Sequence, residues 1–393
     1  MTAVRRAVVG ACALGLATGW NIANTGAVGD RLASAYGVGL VTVGLFTTAL
    51  FLTHAGMQIP AGRAADRFGP RRAGMLALAV ILVFNVVALA APDAGLALVA
   101  RLLIGVGTGL GFIAGSAYVR STSGSPFAQG LYGGVALGGG GLALAIVPSV
   151  EGWIGWRAPF ATAVAVGLGG LALLAAGPSD GPRHRHPREA HLPSGVLRDA
   201  RLYRLGVLFA ASLGLSVVLG NWVVTLLQRE GGAGSHAAGT IGALTLVLGI
   251  VSRPIGGWIL HAHPSRMRAA AATSLVAGAL GTLAVAAARP PALVVLGAIL
   301  IGLAAGIPFA PAFTGAAHLR PDAQAAAVGV VNGAACLVIL VGTPLLGLAF
   351  SLPGGGRLGF AAVACLWVVA LLLLPSAREL AAEARPAPES PRG

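Results

Sequence analysis

The sequence predicts an all-α integral membrane protein, with twelve transmembrane helices arranged as two pseudo-symmetric six-helix bundles. Three observations predict it. Hydrophobic residues make up 56% of the 393 residues and charged residues only 10%, against about 25% charged in a soluble domain. Twelve separate apolar runs approach the about 20 residues that a helix needs to cross a bilayer. The last six runs echo the first six. A soluble enzyme and a disordered chain are excluded by the composition alone, and the mean hydropathy of +0.85 agrees.

The runs cover residues 8–28, 41–61, 73–91, 95–119, 129–150, 158–177, 204–228, 239–261, 269–288, 292–316, 325–350 and 358–375. Each should be helical, because backbone groups in lipid must be satisfied within the segment. Gly, Pro or charge marks most junctions, as at Arg63–Arg72, Pro92-Asp93, Arg266–Arg268 and Pro321-Asp322. The first run resembles a signal peptide, with Arg5-Arg6 ahead of an apolar stretch. It is too long for that and eleven more follow, so it reads as an uncleaved span.

Arginine placement sets the expected orientation, since loops rich in positive charge stay in the cytoplasm. All 26 basic residues are Arg. With both termini cytoplasmic, 19 of the 26 fall on the inner side and five on the outer side. Arg101 and Arg253 remain inside spans. The plasma or inner membrane of the cell, crossed many times, is the expected location. The arginines lie between apolar runs rather than on one basic face, which argues against nucleic acid as a partner.

The polar stretch 178–203 divides the chain six spans to six. The expected organisation is an N-terminal bundle over 1–177, a cytoplasmic linker over 178–203, a C-terminal bundle over 204–375 and an unstructured cytoplasmic tail over 376–393. Leu14-Gly15-Leu16 recurs as Leu213-Gly214-Leu215, and Leu103-Ile104-Gly105 with Gly109 and Phe112 recurs as Leu300-Ile301-Gly302 with Gly306 and Phe309. Gly62 corresponds to Gly257. Parallel six-helix repeats are one architecture of secondary transporters, which hold a solute at mid-membrane and expose it alternately to either side. Prolines within spans (Pro60, Pro148, Pro254, Pro308, Pro311 and Pro344) free backbone carbonyls and permit kinks.

Between the second and third spans stands Gly62-Arg63-Ala64-Ala65-Asp66-Arg67-Phe68-Gly69-Pro70-Arg71-Arg72. It resembles the signature loop of the major facilitator superfamily, G-x-x-x-D-R-x-G-x-R-R, at every marked position. Arg101-Leu102-Leu103-Ile104-Gly105-Val106-Gly107 in the fourth span and Gly155-Trp156-Arg157-Ala158-Pro159-Phe160 entering the sixth resemble that family too. With twelve spans and a central linker, the resemblance covers the whole chain and implies the major facilitator fold. It further implies that the loop braces against the second half, where a helix starting near Pro321–Ala325 offers its positive dipole end to Asp66. Gly62, Asp66, Arg67, Gly69, Arg71 and Arg72 are therefore expected to gate access. The second-half copy has His261 in place of the Asp.

The spans also suggest a binding site. Charges within spans are costly and mark functional positions, and the spans hold Arg253 and Arg101 with no Asp or Glu clearly inside them. A guanidinium without a carboxylate partner attracts anions through forked donors. The segment around Arg253 resembles the nitrate/nitrite-porter and cyanate-permease branches of the family. Where the nitrate branch has an Arg in the second span, this chain has none, and Gln58 stands 195 residues before Arg253. That departure argues against a dedicated nitrate site and leaves a small organic or inorganic anion. Polar stripes complete the expected site: Thr47, His54 and Gln58 on one face of the second span, Asn21 and Asn24 in the first, Asn221 and Trp222 in the seventh. His54 could carry a coupled proton, its reference pKa being near 6.5.

The expected function is alternating-access transport of a small anionic solute by a monomer in the bilayer, without cofactor, metal or enzymatic chemistry. Proton-coupled multidrug efflux is the alternative. It is weakened because Gly19 stands where efflux antiporters carry an intramembrane Asp, and because no Pro follows Gly138-Gly139-Gly140-Gly141. A non-transporting polytopic sensor is more distant, since no His/Asp/Glu or Cys cluster sits at a span end.

Overall fold

With no water to bond in lipid, each apolar run closes its hydrogen bonds upon itself, and the computed structural model is helical across all twelve predicted runs. It describes residues 2–123, 126–179, 195–320 and 324–381. The helices are α1 (Ala3–Ala23), α2 (Leu40–Gly56 continued by Gln58–Phe68), α3 (Pro70–Ala88), α4 (Ala94–Ser123), α5 (Pro126–Ile154), α6 (Ala158–Ala175), α7 (Ala200–Arg229), α8 (Ser235–Ala262), α9 (Met267–Ala286), α10 (Pro291–Ala304 continued by Phe309–Leu319), α11 (Gln324–Ala349) and α12 (Arg357–Leu372). Eight stretches among the described residues are individually long and apolar enough to cross a bilayer. A ninth is α1 with its bent continuation Gly26–Tyr36, at 43°. The apolar stretch Ala128–Ala175 holds two runs, and Leu40–Gly56 and Arg357–Leu372 are apolar but shorter.

Direction follows from contacts. Asn24, at the end of α1, donates to the Pro159 carbonyl at the start of α6 (2.8 Å). Gly10, near the start of α1, lies against Leu174 near the end of α6. α6 therefore runs antiparallel to α1, whereas α5 runs parallel to it (Gly15 against Tyr132, Gly19 against Ala136). The chain thus reverses between α5 and α6, at Gly155, whose φ of 62° suits a residue without a Cβ. Both described chain ends lie at one end of the bundle; the opposite end is called the far end below.

The repeat is physical as well as textual. A Cβ on Gly15 would sit 3.0 Å from the Tyr132 ring of α5, and one on Gly214 would sit 3.0 Å from Val338 of α11. Gly105 of α4 faces the Leu50 carbonyl of α2, just as Gly302 of α10 faces the Leu244 carbonyl of α8. Small residues let these helix pairs approach to backbone contact, which supplies van der Waals attraction where lipid gives no hydrophobic drive. The last pair of contacts, with Pro60 and Pro254, sets the register between α2 and α8 at 194. Ile59, rather than Gln58, is then the counterpart of Arg253.

Outward surfaces are apolar, as a bilayer requires. On α11, Leu337, Val341, Leu345 and Leu348 form an exposed stripe while Val331, Ala335 and Ile339 are buried.

Two predicted boundaries move. The expected linker, 178–203, lies outside the described residues over 180–194, but α7 begins at Ala200 because Asp199 caps it, accepting from the Arg201 N–H at 3.0 Å. The Arg201 side chain also bonds this carboxylate and holds it below its ordinary pKa. The tail expected to be unstructured from 376 instead begins with a helical turn, Ala377–Ala381. The Ser376 N–H donates to Glu379 Oε2 (2.6 Å) and the Glu379 N–H to Ser376 Oγ (3.3 Å), a capping box. Glu379 then pairs with Arg204 at the start of α7 (3.2 Å). Residues 382–393 lie outside the described residues.

Candidate functional site

Four helices are irregular, and most of the irregularities have a proline nearby. Pro60 follows the break in α2 at Met57, and Pro254 follows a turn in α8 at Leu248. Pro308 ends the turn that interrupts α10 between Ala304 and Phe309. Each ring removes an N–H from the helical ladder. In α7 the irregularity is a π-turn, Ala210–Leu215. Ser212 within it donates to the Ala305 carbonyl in the α10 break (2.5 Å), so the two irregular segments satisfy one another. Discontinuous helices are where transporter folds build their sites, and π-turns often mark function.

Arg253 lies at this level, 3% exposed, on the second half. Its Nη1 donates across to the Gly133 carbonyl of α5 at 2.6 Å. Its Cζ stands 4.2 Å from the centroid of the Phe309 ring, a cation–π distance. Its Nε is buried without a hydrogen-bond partner, and no described carboxylate pairs with it. A buried charge with an idle donor is costly unless something completes it.

Five hydrogen-bonded residue pairs join the halves among the described residues, and four are in the far half of the bundle. Arg229 binds Asp30, Ser149 meets His236 at 3.0 Å, Thr47 donates to Asn221 at 2.9 Å and Thr48 donates to the Leu340 carbonyl at 2.8 Å. Arg253–Gly133 is the fifth, nearest to the termini. Close backbone approach accompanies the four: a Cβ on Gly26 would lie 2.5 Å from Asn221 Cα, and one on Gly44 would lie 2.9 Å from Pro344 Cα. Trp222 fills the space beside Gly44 and donates to the Thr343 carbonyl (2.7 Å). Beyond this seal, a cavity of about 300 Å³ lined by Asp30, Arg31, Glu151, Gln228 and Ser235 opens at the far end.

The other predicted residues divide. Asn221 and Trp222 are on the interface, as above. His54 pairs with Thr108 of α4 (3.0 Å), its ring near Phe51 and Phe112, and Gln58 donates back to the His54 carbonyl (3.0 Å). Both are held within the first half. Asn21 accepts from Asn85 of α3 (2.9 Å), also inside the first half. Arg101 is fully buried there: Nε donates to the Phe46 carbonyl and Nη1 to Asn24 Oδ1, each at 3.2 Å. Those contacts tie α4 to α2 and α1, and none of them reaches Arg253.

In the signature loop, Gly69 has φ 91° and ends α2, with Pro70 opening α3. Arg71 donates to the last carbonyls of α6, Leu174 (3.1 Å) and Ala175, placing a cation where the helix dipole is negative. Arg67 stacks on the Phe68 ring at 5.3 Å. Arg72 is exposed, and Gly62 lies on the same helix end. The Asp66 side chain and Pro321–Ala323, the two sides of the expected latch, lie outside what is described.

Sequence reasoning missed Phe209, Phe309 and Phe313. Phe309 and Phe313 stack at 4.9 Å and 28°, and Phe209 meets Phe313 edge-on at 4.7 Å and 74°. The signal was present: Phe309 sits between Pro308 and Pro311, one turn from Phe313.

Comparison with known proteins agrees with this architecture. Two curated relatives match in part. The “Probable sulfoacetate transporter SauU” of Cupriavidus necator is 28% identical over 63% of this chain and 63% of its own. The “Gentisate transporter” of Corynebacterium glutamicum is 27% identical over 56% of this chain and 53% of its own. The matched stretch thus spans between half and two thirds of either relative. Crystal structures of nucleoside transporter NupG, unmutated and as a point mutant, superpose with TM-scores of 0.72 and 0.74 over 95% of the chain. At 14% identity they show the fold alone. A profile of the Major Facilitator Superfamily matches residues 9–343. With its lipid-adapted surface and its many apolar helices, the chain is a multi-pass membrane protein belonging to the Major Facilitator Superfamily.

Proposed function

We propose that the chain is a secondary transporter that carries a small organic anion by alternating access, with Arg253 as the anion's anchor. The observation that carries this reading is the Arg253 guanidinium, buried between the halves with Nε idle and no described carboxylate beside it. An incoming carboxylate or sulfonate would complete its donors and compete with Gly133 for Nη1. The two relatives' names support the class, since sulfoacetate and gentisate are both organic anions.

The halves 1–177 and 204–375 act as the rocking units in this reading, in a monomer at the plasma or inner membrane. The arginine bias puts both termini in the cytoplasm. The sealed far end then faces outward, and the conformation is the one open toward the cytoplasm. His54, bonded to Thr108, is the candidate for a coupled proton. Asp66 with Arg67 and Arg71 forms the latch at the cytoplasmic mouth.

The test is uptake and counterflow in proteoliposomes across small anions and cationic dyes, with and without a pH gradient. Arg253→Gln should abolish anion flux while membrane insertion and thermal stability persist. Dye export without anion flux, or full transport by the variant, would overturn the reading.

A further inference from the structure

We infer that the anion held at Arg253 is a flat aromatic monoanion, its ring seated against Phe309 and Phe313. The inference rests on the reading of Arg253 as anchor and adds the substrate class.

The break in α10 sets the two phenylalanines one turn apart at the head of its second segment. Phe209, 1% exposed, supports them from the π-turn of α7. Phe309 and Phe313 are only half-buried, although Ala312 and Ala316 beside them are fully buried. Two rings left partly uncovered at this depth, beside a buried cation, offer a stacking surface to a ligand.

Arg253 sets the direction of approach. The Phe309 ring lies 4.2 Å from the guanidinium carbon and the donor left idle is Nε, so a carboxylate completes the guanidinium along its Nε edge. An anion bound along that edge lies in the guanidinium plane. A planar substituent conjugated to it then extends flat beside the rings, whereas a bulky tetrahedral one does not. On the opposing half, a Cβ on Gly133 would sit 3.4 Å from both Arg253 Nη1 and Phe309 Cζ. That is ordinary contact, so the space beside Gly133 is one methyl wide, and a ligand ring lies along the phenylalanines rather than between them and Gly133. No second described cation contacts this place, since Arg101, its Nη2 also idle, bonds Asn24 and Phe46 inside the first half, so a second negative charge would be unpaired.

The experiment uses the full chain in proteoliposomes, with benzoate, acetate and phthalate as probes. Benzoate should have a KM at least ten-fold below that of acetate, and phthalate, a dianion, should compete poorly. Phe313→Leu should raise the benzoate KM about two- to ten-fold more than the acetate KM, the range of an aromatic pair. Phe313→Tyr should restore benzoate. If acetate is carried as well as benzoate and both depend on Arg253, the ring seat is wrong and the anchor stands. The same holds if Phe313→Leu shifts both anions equally. If no anion depends on Arg253, both readings fall.

Discussion

Arg229 of α7 grips both carboxylate oxygens of Asp30 across the interface between the halves, with Nε 3.0 Å from Oδ1 and 3.1 Å from Oδ2. Among the described residues this is the one ion pair joining the halves, and it lies at the far end, beside the cavity lined by Asp30, Glu151 and Gln228. Arg31–Glu151 and Arg357–Glu230, its neighbours, each stay within one half.

The pair should bias the access equilibrium. Both side chains are over a third exposed, and exposed pairs contribute about 0.2–1 kcal/mol. Asp30→Asn should therefore raise the population open at the far end by about 1.5- to five-fold. Labelling of a cysteine placed at Thr47 would read this, and the Asp30→Arg/Arg229→Asp exchange should restore the original rate. An unchanged rate would remove the gate.

One substitution, made at two glycines, should give opposite kinds of defect. Gly26→Ala pushes a methyl onto the Asn221 backbone of the other half. Each half still folds, but the far end cannot close, so stability holds while the far-open state gains. Gly19→Ala puts its methyl onto the Ala136 carbonyl of α5 within the same half. Packing there must break, and the protein should lose thermal stability in detergent. Similar melting temperatures for the two would contradict the division.

Arg101 should behave as a staple of the first half. Arg101→Met leaves the buried Asn24 Oδ1 unpaired, at a cost of about 1–3 kcal/mol, while the Phe46 carbonyl keeps its helical bond. The expected result is a lower melting temperature with an unaltered anion KM in the protein that survives. A raised KM at unaltered stability would move Arg101 into the binding site.

The loop residues can be separated in the same way. Arg71→Gln removes a cap worth about 0.3–1 kcal/mol to α6, a small change in melting. Asp66→Asn should slow turnover without changing stability. If turnover stays the same in the Asp66 variant, the loop orients the chain in the membrane and gates nothing.

Much of the fold was legible because lipid imposes one rule on every backbone group, and runs of apolar residues record it directly. The signature loop and the two in-span arginines were equally plain. What escaped depends on which way a side chain faces, which hydropathy does not encode when every face is apolar. Asn21 and Asn24 read as part of the expected binding site, yet they bond to Asn85 and Arg101 inside one half. Phe309 and Phe313 were hidden because in an apolar run a phenylalanine reads as one more lipid-soluble residue. The Ser376–Glu379 box was readable as a helix start, but its Arg/Pro-rich surroundings pointed to an unstructured tail.

That box has a practical consequence. The Glu379 carboxylate is the clasp on Arg204, and its backbone lies against Gly315 at the end of α10. Shortening the protein to Pro375, where the apolar runs stop, would unfasten α7 and α10 at once. Fusion partners and purification handles belong after Ala381, and a preparation trimmed earlier should be difficult to keep intact in detergent.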